Sequence, residues 1–237
     1  MLCLVKSYFA EIAIEGLTSR RDPLQQTLGR FFRPGGIMNT FSFHQIFKAQ
    51  NCNVNTDPET NRQRILYDGR GYVVDGCFNM WLRQYLYSKG CELYHFKGRD
   101  PDLSGMTKEE ILNRFIDARL FGFVARNGKE KINASRAFNL ICCVTYEPIL
   151  FENNHIQDSA FFTVNAMLSG LASEKNLVKA NDVVLLEEAF KNWNKTLDDF
   201  RRDKISIVFT DVVDTKTRLI PTGLDTTFNH FLKAKLG

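Results

Sequence analysis

Two stretches carry apolar residues at three- and four-residue spacing, and their place among the extended runs limits the topology more than any other feature of the chain. From Cys77 to Ser88, the residues Phe78, Trp81, Leu82, Tyr85 and Leu86 fall on one helical face, and Gly90 is placed to end the helix. Behind the polar start Asn181-Asp182, the residues Val183, Leu186, Phe190, Trp193, Leu197 and Phe200 repeat in the same way. Around these helices lie alternating or β-branched runs. "YFAEIAIEG" (8–16) precedes the first, "RLFGFVA" (119–125) and "AFNLICCVTY" (137–146) separate the two, and "KISIVFTDVV" (204–213) follows the second.

The order strand, helix, strand, strand, helix, strand is the βαββαβ order of ferredoxin-like and RNA-recognition-motif folds, so the expected class is α+β in a single domain spanning 1–237. Residues 17–70 lack sustained periodicity and contain the turn signals "RPGG" (33–36) and "NTDPETN" (55–61). They read as a finger subdomain inserted after the first strand, within which "FSFHQIFK" (41–48) forms a short element. "MTKEEILNRFIDA" (106–118) has Thr107 and Glu110 at capping-box spacing and predicts an accessory helix. Asn127-Gly128 is a favoured hairpin dipeptide, and the tail from Thr222 reads as a short helix.

Composition narrows the function classes. With 44% hydrophobic and 24% charged residues over 237 positions, the chain can bury a sizeable core, and no apolar run is long enough to span a membrane. The N-terminal segment has Lys6 and Glu11 where a signal peptide needs an unbroken apolar stretch, so a cytoplasmic protein is expected. Six cysteines show no C-x-x-C pair and read as reduced, mostly packed thiols. The net charge of +4 permits a polyanionic partner without requiring one, and its distribution says more. Arg20, Arg21, Arg30 and Arg33 stand against Asp22 alone, and Arg126, Lys129, Lys131 and Arg136 against Glu130.

Catalytic patterns are sparse. Four histidines are scattered without metal-ligand spacing, and no nucleophile elbow, P-loop or dinucleotide-binding glycine pattern occurs; no metal, cofactor or catalytic residue is expected. Cys77, at a helix start, could be activated by the helix N-terminus, or it is a small packed residue, the reading preferred here. Asp22, Asp57 or Asp68 could assist phosphodiester cleavage, or they are turn residues held by local hydrogen bonding, the reading preferred here. The basic material remains. Arginine, asparagine and glutamine gather at element ends, where side chains and backbone amides hold phosphate without reading bases.

The stretch "VVDGCFNMWLRQYL" (73–86) resembles the strand-turn-helix signature of the CRISPR-associated backbone subunit of type I Cascade complexes, the Cas-seven group of the RAMP superfamily, especially its subtype B and C branches. Further segments are similar in the same order. "SRRDP" (19–23) resembles that family's turn after its first strand, "FIDARLFGFV" (115–124) its Asp-x-Arg-x-Phe-Gly strand entry, and "AFNLICCVTYEPI" (137–149) its strand ending in acid-Pro-Ile. The resemblance implies a non-enzymatic subunit that stacks in copies along a CRISPR guide RNA, beside capping and large subunits, leaving the guide free to pair with target nucleic acid.

The residues it implies as RNA-facing are Arg20, Arg21, Asn79, Arg83, Gln84, Arg126, Lys129, Lys131 and Arg136. Asn79, Arg83 and Gln84 would line the polar face of the first helix. Two departures stand out. Asn79 and Met80 occupy positions where the family carries a cation, and the segment corresponding to its thumb, 149–168, is short. Arg119 is expected to pair with Asp117 or another acid.

Overall fold

The computed structural model describes residues 38–96, 105–127, 130–152 and 155–215. In chain order the elements are β1 (Phe41–Gln50), β2 (Arg70–Tyr72), α1 (Asp75–Ser88), α2 (Lys108–Arg114), α3 (Ile116–Phe121), β3 (Phe123–Asn127), β4 (Glu130–Ala134), β5 (Phe138–Pro148), β6 (Phe151–Glu152), β7 (His155–Ile156), β8 (Ser159–Leu168), α4 (Gly170–Lys175), α5 (Ala180–Asn192), a 3-10 turn (Trp193–Thr196), α6 (Asp199–Arg202) and β9 (Ile205–Asp214). The molecule is of mixed α+β class. A five-stranded antiparallel sheet runs in the order β2-β5-β8-β1-β9, and β3-β4 and β6-β7 form separate two-stranded ribbons.

Several expectations change. Residues 41–50, assigned to an inserted finger, form a strand flanked by β8 on one side and β9 on the other, and they are paired along their length. Residues 159–168, assigned to a shortened thumb, form β8, which is likewise flanked by two strands. The run 119–125 is not a single strand: helix α3 continues to Phe121, and β3 pairs only with β4, outside the large sheet. The expected strand at 8–16 and the C-terminal helix lie outside the described residues.

The alternation of β1 explains why it sits inside. Phe41, Phe43, Gln45, Phe47 and Ala49 share one face, and Phe43 and Phe47 meet the rings of Phe190 and of Trp81 and Trp193 on the helices above. Phe47 stacks on Phe162 of β8 at 4.9 Å, and Trp81 stacks on Trp193 at 4.6 Å, joining α1 to the end of α5. Each such buried ring contributes on the order of 1.5–3 kcal/mol by removal from water. Gln45 is the polar member of this face. It is fully buried, donates to the Phe190 carbonyl and to Thr210 Oγ1 (3.1 Å), and accepts Trp193 Nε1–H at 2.7 Å, so its burial leaves neither end of the amide unsatisfied.

A second, smaller hydrophobic cluster lies under the β3-β4 hairpin: Ile111, Leu112, Phe115, Ala118, Phe123, Ala125 and Ala134. The capping box expected at Thr107 is present, with Glu110 N–H donating to Thr107 Oγ1 at 3.3 Å and Thr107 N–H donating to Glu110 at 2.7 Å. It fixes where α2 begins and hence which face meets the hairpin.

Candidate nucleic-acid interface

Register determines what the hairpin shows to solvent. Phe123 faces Ala134 and Ala125 faces Ile132, and these side chains enter the small cluster. The alternate pairs are Val124 with Asn133 and Arg126 with Lys131, and all four side chains are exposed. Among the residues whose side chains are described, neither Arg126 nor Lys131 has an ion-pair or hydrogen-bond partner. Like charges directly opposite on a ribbon lie roughly 5 Å apart at Cβ and repel, so this pairing costs stability unless an anion sits between them.

The chain leaving the hairpin is tightly held. Gly122 adopts φ +70°, and a Cβ there would lie 2.6 Å from the Ala134 carbonyl oxygen and 3.0 Å from the Arg136 nitrogen. Glycine is therefore required both for the left-handed conformation and for the close approach of residues 134–136. Ala137 N–H donates to the Leu120 carbonyl at 3.0 Å, and the Asn176 amide donates to the Ser135 and Arg119 carbonyls at 2.6 and 3.0 Å. Arg136 rides on this anchored segment and reaches Asp75, in the first turn of α1, through Nη1. Asp75 is fixed in turn by Asn79 Nδ2, which donates to its other oxygen at 2.9 Å.

The polar face of α1 has a different role from the one expected of it. Asn79 is only 2% exposed, which closes it to a strand running over the surface. Arg83 Nε bonds Asp117 at 3.0 Å while its guanidinium stacks 4.8 Å from the Phe121 ring, and Gln84 donates to the Thr196 carbonyl. The unusual Asn, Arg and Gln of this helix are thus engaged within the fold, tying α1 to α3 and to the turn after α5. Arg20, Arg21 and Lys129 lie outside the described residues.

The segment "DARLFG" (117–122) forms a buried knot. Asp117 is fully buried and accepts the backbone N–H groups of Tyr94 (2.6 Å) and His95 (3.1 Å) besides Arg83. Arg119 pairs with "another acid", Asp182, through two hydrogen bonds of 2.6 and 2.9 Å, and also donates to the Leu112 carbonyl at 2.6 Å. Nothing in the sequence marked Asp182 as its partner, because 63 residues separate them.

The remaining candidates for chemistry are engaged locally. Asp57 accepts the N–H groups of Glu59 and Thr60, which hold its carboxyl below the usual range, and Asp68 accepts Arg70 N–H with the same effect. Burial pushes the Cys77 thiol up to about 11, the opposite of an activated thiolate. The groove of about 680 Å³ lined by Asp57, Arg64, Tyr72 and Phe151 carries a 3.4 Å Asp57–Arg64 pair within its wall. Among the described residues no group of three or more His, Cys, Asp or Glu side chains is placed to hold a metal ion, and no helix is long and apolar enough to cross a membrane.

No family model matches the chain, and no curated protein matches it. Among solved structures it is similar to a chain of a "CRISPR RNA-guided surveillance complex, pre-nicking", with 13% identity and a TM-score of 0.46 over 65% of this chain and 72% of that one. It is also similar to a chain of a "CRISPR RNA-guided surveillance complex", with 11% identity and a TM-score of 0.45 over 64% of this chain and 71% of that one.

Proposed function

We propose that the chain is a guide-RNA-binding repeat subunit of a cytoplasmic CRISPR interference complex of the Cascade type, acting by binding rather than catalysis. The observation that carries the reading is the exposed Arg126–Lys131 pair, without a partner among the residues whose side chains are described, on a hairpin whose other face is packed. A phosphate between two such cations removes their repulsion, and phosphate contacts position a strand without reading its bases.

The core supports the same reading. β1, α1, β5, β8, α5 and β9 follow one another as βαββαβ, and their strands lie in the order β5-β8-β1-β9, the arrangement of ferredoxin-like and RNA-recognition-motif domains. In this reading β3-β4, inserted between α1 and β5, is the RNA-facing finger, and Arg126, Lys131 and Arg136 supply its phosphate contacts; Arg20, Arg21 and Lys129, outside the described residues, are kept as RNA contacts from the sequence alone. Of the α1 residues, Asn79 acts on these contacts indirectly, by holding the Asp75 carboxylate that Arg136 reaches, while Arg83 and Gln84 hold α1 in the fold. The partners are the guide, target nucleic acid paired to it, further copies of this chain, and the capping and large subunits. Binding by one copy is weak and by an assembled row tight, because each added copy binds at high effective concentration. If a copy neutralises about four phosphates, the log-log salt slope is near −3 per copy.

The test is co-expression with a CRISPR array, followed by size-exclusion chromatography and recovery of bound nucleic acid, beside an Arg126→Ala/Lys131→Ala/Arg136→Ala variant. Discrete protected RNA in a high-mass particle, lost in the variant, is expected. A monomeric, nucleic-acid-free wild type overturns the proposal.

A further inference from the structure

Arg136 already has a counter-ion. Its side chain is 52% exposed, one N–H is directed at Asp75, and its other N–H groups have no partner among the described residues. The Asp75 carboxylate cannot turn away freely, because buried Asn79 holds its second oxygen at 2.9 Å one helical turn along. Resting on the RNA-binding reading above, we propose that Asp75 is a counter-ion gate: it keeps Arg136 neutralised toward small anions and yields it only to a continuous phosphodiester strand already held at Arg126 and Lys131.

The physical basis is the difference between a lone phosphate and a tethered one. A phosphate approaching Arg136 meets the negative charge of Asp75 at roughly 6 Å, a repulsion that weakens binding about threefold in water. A free mononucleotide has nothing to offset this. A strand anchored on the hairpin does, because its next phosphates are presented at high local concentration. Lys131 and Arg136 are five positions apart, so their Cα atoms lie no more than about 18 Å apart, within reach of one short strand. Asn79 makes the gate stiff: with one oxygen pinned, the other remains aimed at Arg136.

The experiment is fluorescence anisotropy at low and moderate salt with a labelled single-stranded RNA, competed with adenosine monophosphate, for wild type, Asp75→Asn, Arg136→Ala and the double variant. Asp75→Asn keeps an acceptor beside Arg136 and removes the charge. It is expected to tighten RNA binding about threefold, steepen the salt slope by about 0.7, and make adenosine monophosphate a better competitor. None of these changes is expected in the Arg136→Ala background. Intact tryptophan emission, from the buried Trp81–Trp193 stack, establishes that each variant is folded. An Asp75→Asn protein with wild-type affinity and slope, or an equal gain without Arg136, overturns the gate while leaving the RNA reading in place. A wild type that binds no RNA at low salt overturns both.

Discussion

Arg119 and Asp182 face each other through two hydrogen bonds, at 2.6 and 2.9 Å, with both side chains almost wholly buried. Asp182 also accepts Lys179 N–H at 2.8 Å, so one carboxylate starts α5 and receives the guanidinium of α3. Asp182→Ala leaves the buried arginine uncompensated and is expected to cost about 3–5 kcal/mol in urea unfolding. Replacing both residues together by apolar ones of similar size is expected to cost much less than that, since no charge then remains buried.

Gly122→Ala sets a Cβ against the Ala134 carbonyl at a position of positive φ. The expected loss is about 1–3 kcal/mol, read as a lowered Tm. Because residues 134–136 are what the new methyl displaces, RNA affinity is expected to fall with it. Gly90, also at positive φ but with nothing near its missing Cβ, is the control: Gly90→Asn leaves RNA binding unchanged.

Removing both hairpin cations in Arg126→Ala/Lys131→Ala reduces the steepness of the log-log salt dependence of RNA binding by about 1.4. The same variant is expected to melt no lower than wild type, because the substitution relieves a like-charge pair and touches no packed atom. A lower Tm would mean that these side chains have structural partners.

Alkaline pH supplies a test of burial. Cys77 and Cys143 have thiols raised by desolvation, Cys77 to about 11 against an ordinary 9.0, and Cys52 and Cys91 shift the same way. The unfolded chain ionises these thiols first, so it binds fewer protons than the native state above pH 9. Stability is therefore complete below pH 9 and declines between about pH 9 and 11. Denaturant midpoints across that range, compared with a Cys77→Ala variant of shallower decline, check it. In the same window the native Cys77 resists alkylation until the protein unfolds.

Much of the helical architecture was legible. The apolar spacing from Phe78 to Leu86 predicts α1 almost to its ends, and the pattern behind Asp182 predicts α5, although the periodic residues continue through the 3-10 turn and α6 after the regular helix has stopped at Asn192. The strands at 138–148 and 205–214 were visible as β-branched and aromatic runs. β1 was not, and Gln45 is the reason: a glutamine in the middle of a buried face interrupts the pattern that marks a core strand. Its hydrogen bonds to Trp193 and the Phe190 carbonyl, which make it acceptable there, are long-range. α3 was hidden because "RLFGFV" is apolar under either period, and only the Gly122 conformation separates helix from strand.

The candidate site was legible in part for a related reason. Composition located the basic cluster 126–136, and hairpin register then selected which of its members share an open face. The amides and guanidinium of α1 looked available because a sequence pattern separates apolar from polar faces. It does not separate polar groups that meet water from polar groups that meet another element, and Arg83 and Gln84 find their partners 34 and 112 residues away.

The separate hydrophobic cluster beneath the β3-β4 hairpin has an evolutionary consequence. Substitutions on the solvent side of this ribbon touch neither the aromatic stack over the large sheet nor, by the alternation of the strands, the seven side chains directly below. Their effects on stability are close to additive with changes elsewhere. Cations can thus be gained, lost or moved along Val124, Arg126, Lys131 and Asn133 while the scaffold stays the same, so the proposed affinity for an anionic strand can drift far more readily than the fold.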